Sequence, residues 1–449
     1  MEEKSLVEGA VWKQLILFTL PFMGTSLIQT LYSMVDLYIV GNYATTADVS
    51  AVSVAGTVVS TFAFMIIGMG VGATVLVGHM FGAGRHHELE DVVKTSFTLF
   101  PLLSLIMSII LMIFVNPIIS LINTPESAID GARAYLLICL AGYFFQGIYN
   151  TLSGILRGLG NSKPTLIIAI WACIFNIVGD IILVGGFGMG ARGAAIATTG
   201  AQIFSAVFGC IYVKIKFRDF PFEFKLSGLG ISRNHVKELI KIGLPVGLQE
   251  TLVMFSFIII EAVVNSLGVD ASAAAGILDK MFILCTIPAM GFNSSISAFV
   301  AQNHGAGRED RCVKCLGYGT LICFTFGLIM MMWAWLDAEG IVRIFTSDQN
   351  VIEQGITYFH GYKFEYPAYS VAYCIAGFIN GCGKTKFVLI TNLIATYAVR
   401  VPLTVFLVTL SGGTLLELGY ALPVASVVQA VVGGIFFFTG VWKAREGKV

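Results

Sequence analysis

Asp36 and Asp180 are lone carboxylates, each set in a stretch that is otherwise apolar enough to cross a membrane. A charge at the centre of a bilayer costs ~2.5–3.5 kcal/mol on insertion scales, so an acid placed there marks an ion or substrate pathway by default. Each stands five residues before a glycine that closes its segment, Gly41 and Gly185. If the two segments run the same way, the acids share one depth. Two carboxylates at one depth could hold a small cation, or share a proton, because adjacent like charges in a poor dielectric repel and titrate together. The chemistry expected is ion exchange, not bond-making. Zinc-protease HExxH and serine-elbow motifs are absent from the sequence, as are nucleotide and haem signatures, so the chain is not expected to be an enzyme.

The second half carries a different set of charges in apolar surroundings: Glu250, Glu261, Asp279 and Glu365 with Lys280, Lys363 and Arg400. Buried charges are tolerated when paired, so these seven read as a partly neutralised network, either structural or a second ion or substrate site. Glu250 and Glu261 are eleven residues apart and share a helix face. Lys363 and Glu365, two apart, cannot face each other. Cys312 and Cys315 form a single CxxC without a second pair. They read as small apolar residues, and no metal site or organic cofactor is expected.

The elements that carry these residues follow from composition. The chain has 449 residues, 56% of them hydrophobic and 12% charged, with a mean hydropathy of +0.84. That is a membrane protein. Net charge is zero, so nothing points to nucleic acid. The polar amino-terminal residues lack a signal-peptide pattern, and the first apolar stretch is expected to stay as a span. A span needs about 20 apolar residues. Twelve are expected, over 14–40, 49–78, 95–116, 132–156, 164–186, 192–213, 239–267, 271–300, 315–336, 354–380, 387–410 and 418–442. Apart from the embedded Lys280, Lys363 and Arg400, every Lys and Arg except Arg133, Arg192 and Arg343 falls on the side of the two termini. Both termini are therefore expected in the cytoplasm, with the chain in the inner (plasma) membrane. Asp36 and Asp180 then lie in its outer part.

The chain repeats itself. Val77–Arg85 aligns with Val300–Arg308, and Gly154, Gly158, Gly160 and Lys163 align with Gly377, Gly381, Gly383 and Lys386, both at an offset of 223. Leu20-Pro21 recurs as Leu244-Pro245. Six spans per half keep both copies in one orientation. The fold expected is all-α: twelve transmembrane helices in two six-helix lobes related as parallel repeats, residues 1–222 and 223–449.

The ordered motifs resemble those of the multidrug and toxic compound extrusion (MATE) transporters. They are Leu20-Pro21, Val35-Asp36 with Val40-Gly41, Gly82-Ala-Gly-Arg85, Arg157-Gly-Leu-Gly160, Asn176-Ile-Val-Gly-Asp180 and Gly193-Ala-Ala-Ile-Ala-Thr198. The second half adds Ala289-Met-Gly291, Gly305-Ala-Gly-Arg308, Asn380-Gly-Cys-Gly383 and Arg400-Val-Pro402. The resemblance covers nearly the whole chain. It implies secondary active efflux of organic cations and other drugs, driven by H⁺ or Na⁺. The first lobe is most similar to the archaeal-type members, and that likeness implies a coupling site at Asp36, Asn176, Asp180 and Thr198. It also implies a helix that bends at Pro21, and drug contacts at Gln29, Tyr32, Tyr135 and Asn150. Another branch has a coupling Glu eight residues after the proline of helix seven; here Val253 stands there.

The residue types agree with that set. Asn176 is one turn before Asp180 and faces the same way. Carboxylate, amide and hydroxyl oxygens suit a hard cation, and the same cluster could carry a proton instead. Gln29, Tyr32 and Asp36 form one stripe, a plausible cradle for a lipophilic cation; packing between helices is the plainer reading. Pro21 removes a backbone hydrogen bond inside the first span, leaving either a switching bend or a static kink. The partners expected are a small amphipathic solute and the bilayer, with the chain a monomer. A lipid or lipid-linked sugar flippase of the same wider superfamily is the alternative. The lack of an embedded Lys or Arg in the first lobe argues against it, and the second lobe's cations keep it open.

Overall fold

The computed structural model describes residues 6–215, 230–410 and 414–443. Among them every regular element is helical. The spans are α1 (Val11–Tyr43), α2 (Thr46–Gly82), α3 (His86–Ile113), α4 (Ile129–Gly158), α5 (Lys163–Asp180), α6 (Gly190–Ile215), α7 (Arg233–Asn265), α8 (Val269–Gly305) and α9 (Glu309–Leu336). They continue with α10a (Gln349–Tyr362), α10b (Glu365–Gly381), α11 (Thr385–Leu410, with a π turn over Ile394–Arg400) and α12 (Leu415–Phe438). A second π turn, Ile181–Gly186, extends α5. The boundary expected at 222/223 lies outside the described residues.

Eleven of these helices are long and apolar enough to cross a membrane. The tenth expected span, 354–380, is not one helix. It breaks at Lys363–Phe364. The cause is Pro367, which has no N–H to offer the carbonyl of Lys363, four residues back, and whose ring crowds that carbonyl.

The chain forms two compact units. Unit 1 runs from Leu20 to Gly247; unit 2 takes Leu6–Thr19 and the chain from Leu248 onward. Each unit thus contains the first turns of a helix that continues in the other. Pro21 stands two residues after the change of unit in α1, and Pro245 two residues before it in α7.

The two units are built on the same packing. In unit 1, α4 lies against α2, α3 and α6; in unit 2, α10b lies against α8, α9 and α12. The close approach depends on glycine. A Cβ at Gly158 would stand 2.8 Å from the carbonyl oxygen of Thr74, and one at Gly381, its repeat partner, 2.7 Å from that of Ser297. Both helices then end on a glycine in the left-handed region, Gly160 at φ 82° and Gly383 at φ 73°, the conformation that a helix C-terminus often requires and that glycine adopts freely.

Arg311 on α9 fastens the first turns of α1 within unit 2. Its guanidinium donates to the carbonyls of Leu6 (2.9 Å), Glu8 (3.2 Å) and Gly9 (2.7 Å) and to Gln14 Oε1 (3.1 Å). Its Nε donates to Asn303 Oδ1 at 2.9 Å, and its face lies 5.6 Å from the Phe299 ring centre. Leu6, Val11, Leu15 and Phe18 then fill the core of the unit. Hydrogen bonds to a charged group contribute ~1.5–3 kcal/mol each in proteins, non-additively. Arg311→Met should therefore lower the unfolding temperature of the purified protein and expose residues 6–14 to limited proteolysis. Wild-type protection of that segment in the variant would refute the anchoring role.

Candidate functional site

The site lies wholly within unit 1. Asp36 comes from the second half of α1, Asn176 and Asp180 from the end of α5, and Thr198 from the third turn of α6. Gly179 sets their level. A Cβ at that position would sit 3.0 Å from the Ala197 Cβ, so α5 and α6 touch beside Asp180 and Thr198. Asp48 holds the start of α6: it caps α2 together with Thr45 and accepts the Ala191 N–H at 3.0 Å. Immediately after Asp180 the helix widens into the Ile181–Gly186 π turn, an irregularity frequent at functional sites.

All four coupling candidates are buried, Asp180 completely. The carboxyl groups of Asp36 and Asp180 lie within hydrogen-bond reach of each other. Neither carboxylate can donate to the other, and Asp36 Oδ1 and both Asp180 oxygens find no donor in the protein. The Asn176 amide and the Thr198 hydroxyl are also without a protein partner. Such a set of oxygens in an apolar interior costs free energy unless a proton or a cation is shared among them. Their chemistry fits either ion.

An open cavity of about 100 Å³ adjoins this cluster, walled by side chains of α1, α2, α4, α5 and α6. Asn176 and Thr198 belong to both, lining the cavity as well as joining the acids. Gln29, Tyr32 and Asn150 line it too. Tyr135 does not; it is buried, within electrostatic range of Asp36 and Tyr32. Asp36 and Asp180 stand behind the wall rather than on it. The sequence reading missed Gln146 and Tyr149 on α4 and Gln202 and Ser205 on α6, which complete the polar lining. Their spacing was the available signal: Gln146, Tyr149 and Asn150 fall at i, i+3 and i+4, and Thr198, Gln202 and Ser205 at i, i+4 and i+7.

Two expectations need correction. Unit 1 does contain a buried cation, at the end of a span. Arg157, in the last turn of α4, is buried, with its guanidinium 5.3 Å from the Phe22 ring centre and its Nε donating to the Ser153 carbonyl at 3.2 Å. An aromatic face and a backbone carbonyl satisfy it where a loop position had been expected. The seven charges of the second half also do not form one network. Glu261, Asp279 and Lys280 are exposed, and Glu250 and Lys363 are half-buried. Lys280 lies over Phe345, and Lys363 over Trp335 and Phe364, so rings take the place of acids. Only Glu365 and Arg400 are buried. Pro21 is buried inside an unbroken α1, where its carbonyl accepts the Thr25 hydroxyl at 2.9 Å.

Known proteins share this architecture. The MatE family model matches residues 21–182 and again residues 245–406, once in each half. The chain is 26% identical to the probable multidrug resistance protein YpnP of Bacillus subtilis (strain 168) over 452 residues, 99% of each protein. Among solved structures, an outward-facing multidrug resistance MATE family transporter of the MOP superfamily matches with a TM-score of 0.90 at 20% identity, over 99% of both chains. A MOP superfamily transporter from Pyrococcus furiosus with a binding pocket of reverse polarity matches with a TM-score of 0.91 at 21% identity, again over 99% of both. At such identities the structures establish the fold. The family match, made twice at the spacing of the internal repeat, establishes the kinship: the chain belongs to the MatE family of multidrug and toxic compound extrusion transporters.

Proposed function

We propose that this efflux transporter exports organic cations, drugs or metabolites in exchange for H⁺ or Na⁺, and that Asp36, Asn176, Asp180 and Thr198 carry the ion. One observation supports the reading above others: two buried carboxylates without donors stand behind a cavity wall, and two residues of that wall, Asn176 and Thr198, belong to both places. An ion bound by the acids draws on oxygens that also face the solute. Ion and solute then compete for one set of groups, which is the requirement for exchange.

The energy is sufficient. One charge crossing the membrane yields ~2.3 kcal/mol per 100 mV, and taking a two-state carrier from 1:99 to 99:1 needs about 5.5 kcal/mol. One coupling charge with a concentration gradient biases the cycle without completing the switch. The arrangement of basic residues supports termini in the cytoplasm and a place in the plasma membrane, and a two-lobed carrier can operate as a monomer. The alternative, a lipid or lipid-linked sugar flippase, gains little from the buried Arg157, whose guanidinium is already taken up by Phe22 and the Ser153 carbonyl.

In liposomes, a pH or sodium gradient should drive movement of a fluorescent organic cation, and Asp36→Asn and Asp180→Asn should each reduce that movement at least tenfold. Undiminished gradient-driven transport by both variants would sink the proposed ion site. With no cation transport under either gradient by folded protein, a lipid-flipping assay becomes the decisive measurement. Removing one cavity hydrogen bond, as in Gln202→Leu, should weaken binding of the dye about 3–10-fold, equivalent to ~0.5–1.5 kcal/mol, without abolishing ion-dependent transport. Pro21→Ala should slow turnover several-fold while equilibrium dye binding stays as in wild type; an unchanged turnover would leave the proline as a static kink.

A further inference from the structure

Unit 2 buries one carboxylate and one guanidinium that stand near each other without closing an ion pair. Glu365 opens α10b, and its Oε1 accepts the Ser426 hydroxyl of α12 at 2.8 Å. Its Oε2 has no hydrogen-bond partner in the protein. Arg400 closes the π turn of α11 and is 6% exposed. Its guanidinium lies 5.1 Å from the Phe257 ring centre, and its Nε and Nη1 are without a protein acceptor. The two charges are within electrostatic reach, and Tyr373 is within reach of both.

A pair that served only to neutralise itself would close into the bidentate fork that guanidinium and carboxylate favour. Here Ser426 holds one carboxylate oxygen on α12, and the guanidinium keeps its N–H groups open. The two helices that carry Arg400 and Ser426 hold further unpartnered donors. Thr404 is one turn beyond Arg400 on the same face, completely buried, with its hydroxyl unpartnered in the protein. Gln429 is one turn beyond Ser426 on α12, which packs against α11, and its Nε2 is likewise unpartnered. Guanidinium, amide N–H and hydroxyl together are the donor set that recognises an oxyanion. The backbone offers a separate indication. π turns are rare and concentrate at functional sites, and the two that the described residues contain lie beside Asp180 in unit 1 and at Arg400 in unit 2.

We propose that Arg400, Thr404 and Gln429 form an oxyanion-binding subsite within unit 2, which takes the carboxylate or phosphate group of an organic solute, with Glu365 as the counter-ion that balances Arg400 between occupants. The subsite is separate from the Asp36 cluster and goes beyond the cation-exchange reading. Its test is equilibrium binding, so either proposal can fail while the other stands.

The full-length protein in detergent would be unfolded thermally with benzoate, phenyl phosphate, inorganic phosphate and, as the uncharged isostere, benzamide. A ligand that binds only the folded state raises the melting temperature with concentration. Benzoate or phenyl phosphate should do so, and benzamide should not; the better of the two anions identifies carboxylate or phosphate as the preferred group. A shift with inorganic phosphate as large as with phenyl phosphate would place the recognition in the oxyanion alone. Arg400→Lys should weaken the anion at least fivefold, because the fork is lost while the charge stays. Glu365→Gln should tighten it about tenfold by removing a competing negative charge. Should Arg400→Lys fail to fold, Thr404→Val and Gln429→Leu take its place, each with a loss of threefold or more. The proposal is overturned if neither wild type nor Glu365→Gln responds to either organic anion. It is equally overturned if the response is unchanged in Arg400→Lys, or in both substitutes for it.

Discussion

The rest of the structure depends on the cost of leaving a polar group unsatisfied where water is scarce. In hydrocarbon the backbone must satisfy itself, which is why the described chain is helical throughout its spans. The same cost draws attention to side chains that escape the rule, above all where ionised groups gather. Asp36, Asp180, Asn176 and Thr198 are buried with oxygens that no protein donor reaches. Elsewhere in the molecule comparable groups have been paired: Arg311 by three carbonyls and two side-chain amides, Arg157 by a carbonyl and a ring, the lysines of the second half by aromatic faces. Asp36 and Asp180 in the first half, and Arg400 in the second, are left open instead, which is the observation behind the two sites proposed above.

Close packing makes that arrangement rigid enough to be useful. Asp180 and Thr198 reach one level because α5 and α6 touch at Gly179 and Ala197, and the cavity keeps its shape because α4 lies tightly against α2, α3 and α6. The same glycine contacts occur again in the second half, at Gly381 as at Gly158. Duplication copied the scaffold and its helix ends. The chemistry was not copied with it. The fifth span of the first half carries Asp180, whereas its counterpart in the second half carries Arg400. Two lobes of one architecture thus present opposite charge on equivalent helices.

Proline divides long helices in two different ways. At Pro367 the missing N–H breaks the tenth span into two pieces. At Pro21 and Pro245 the helices continue unbroken, and the change from one unit to the other falls within two residues. Pro101, Pro288 and Pro423 likewise stand inside unbroken helices, so a missing N–H alone does not dictate a break.

Much of this was legible in the residues. Span positions follow from apolar runs of bilayer length, the duplication from motifs at a fixed offset, and the coupling candidates from acids placed where charge is expensive. These are local or one-dimensional signals, and they survive without coordinates. The cavity lining was only half legible, since the i, i+3, i+4 spacing of Gln146, Tyr149 and Asn150 shows a shared face but not what that face meets. Burial of Arg157 could not be read at all, because a basic residue near a helix end looks the same whether it points to water or to Phe22. The seven charges of the second half misled for a related reason: sequence gives their signs, while only packing shows that Lys280 and Lys363 rest on rings and that Glu365 and Arg400 alone are buried. The sequence by itself determined the solvent of the fold, the number of repeats and the residues too costly to be accidental. Tertiary structure decided which of those residues meet, because a partner in space depends on how helix faces dock, and that is settled by side-chain shape across distances that no spacing along the chain records.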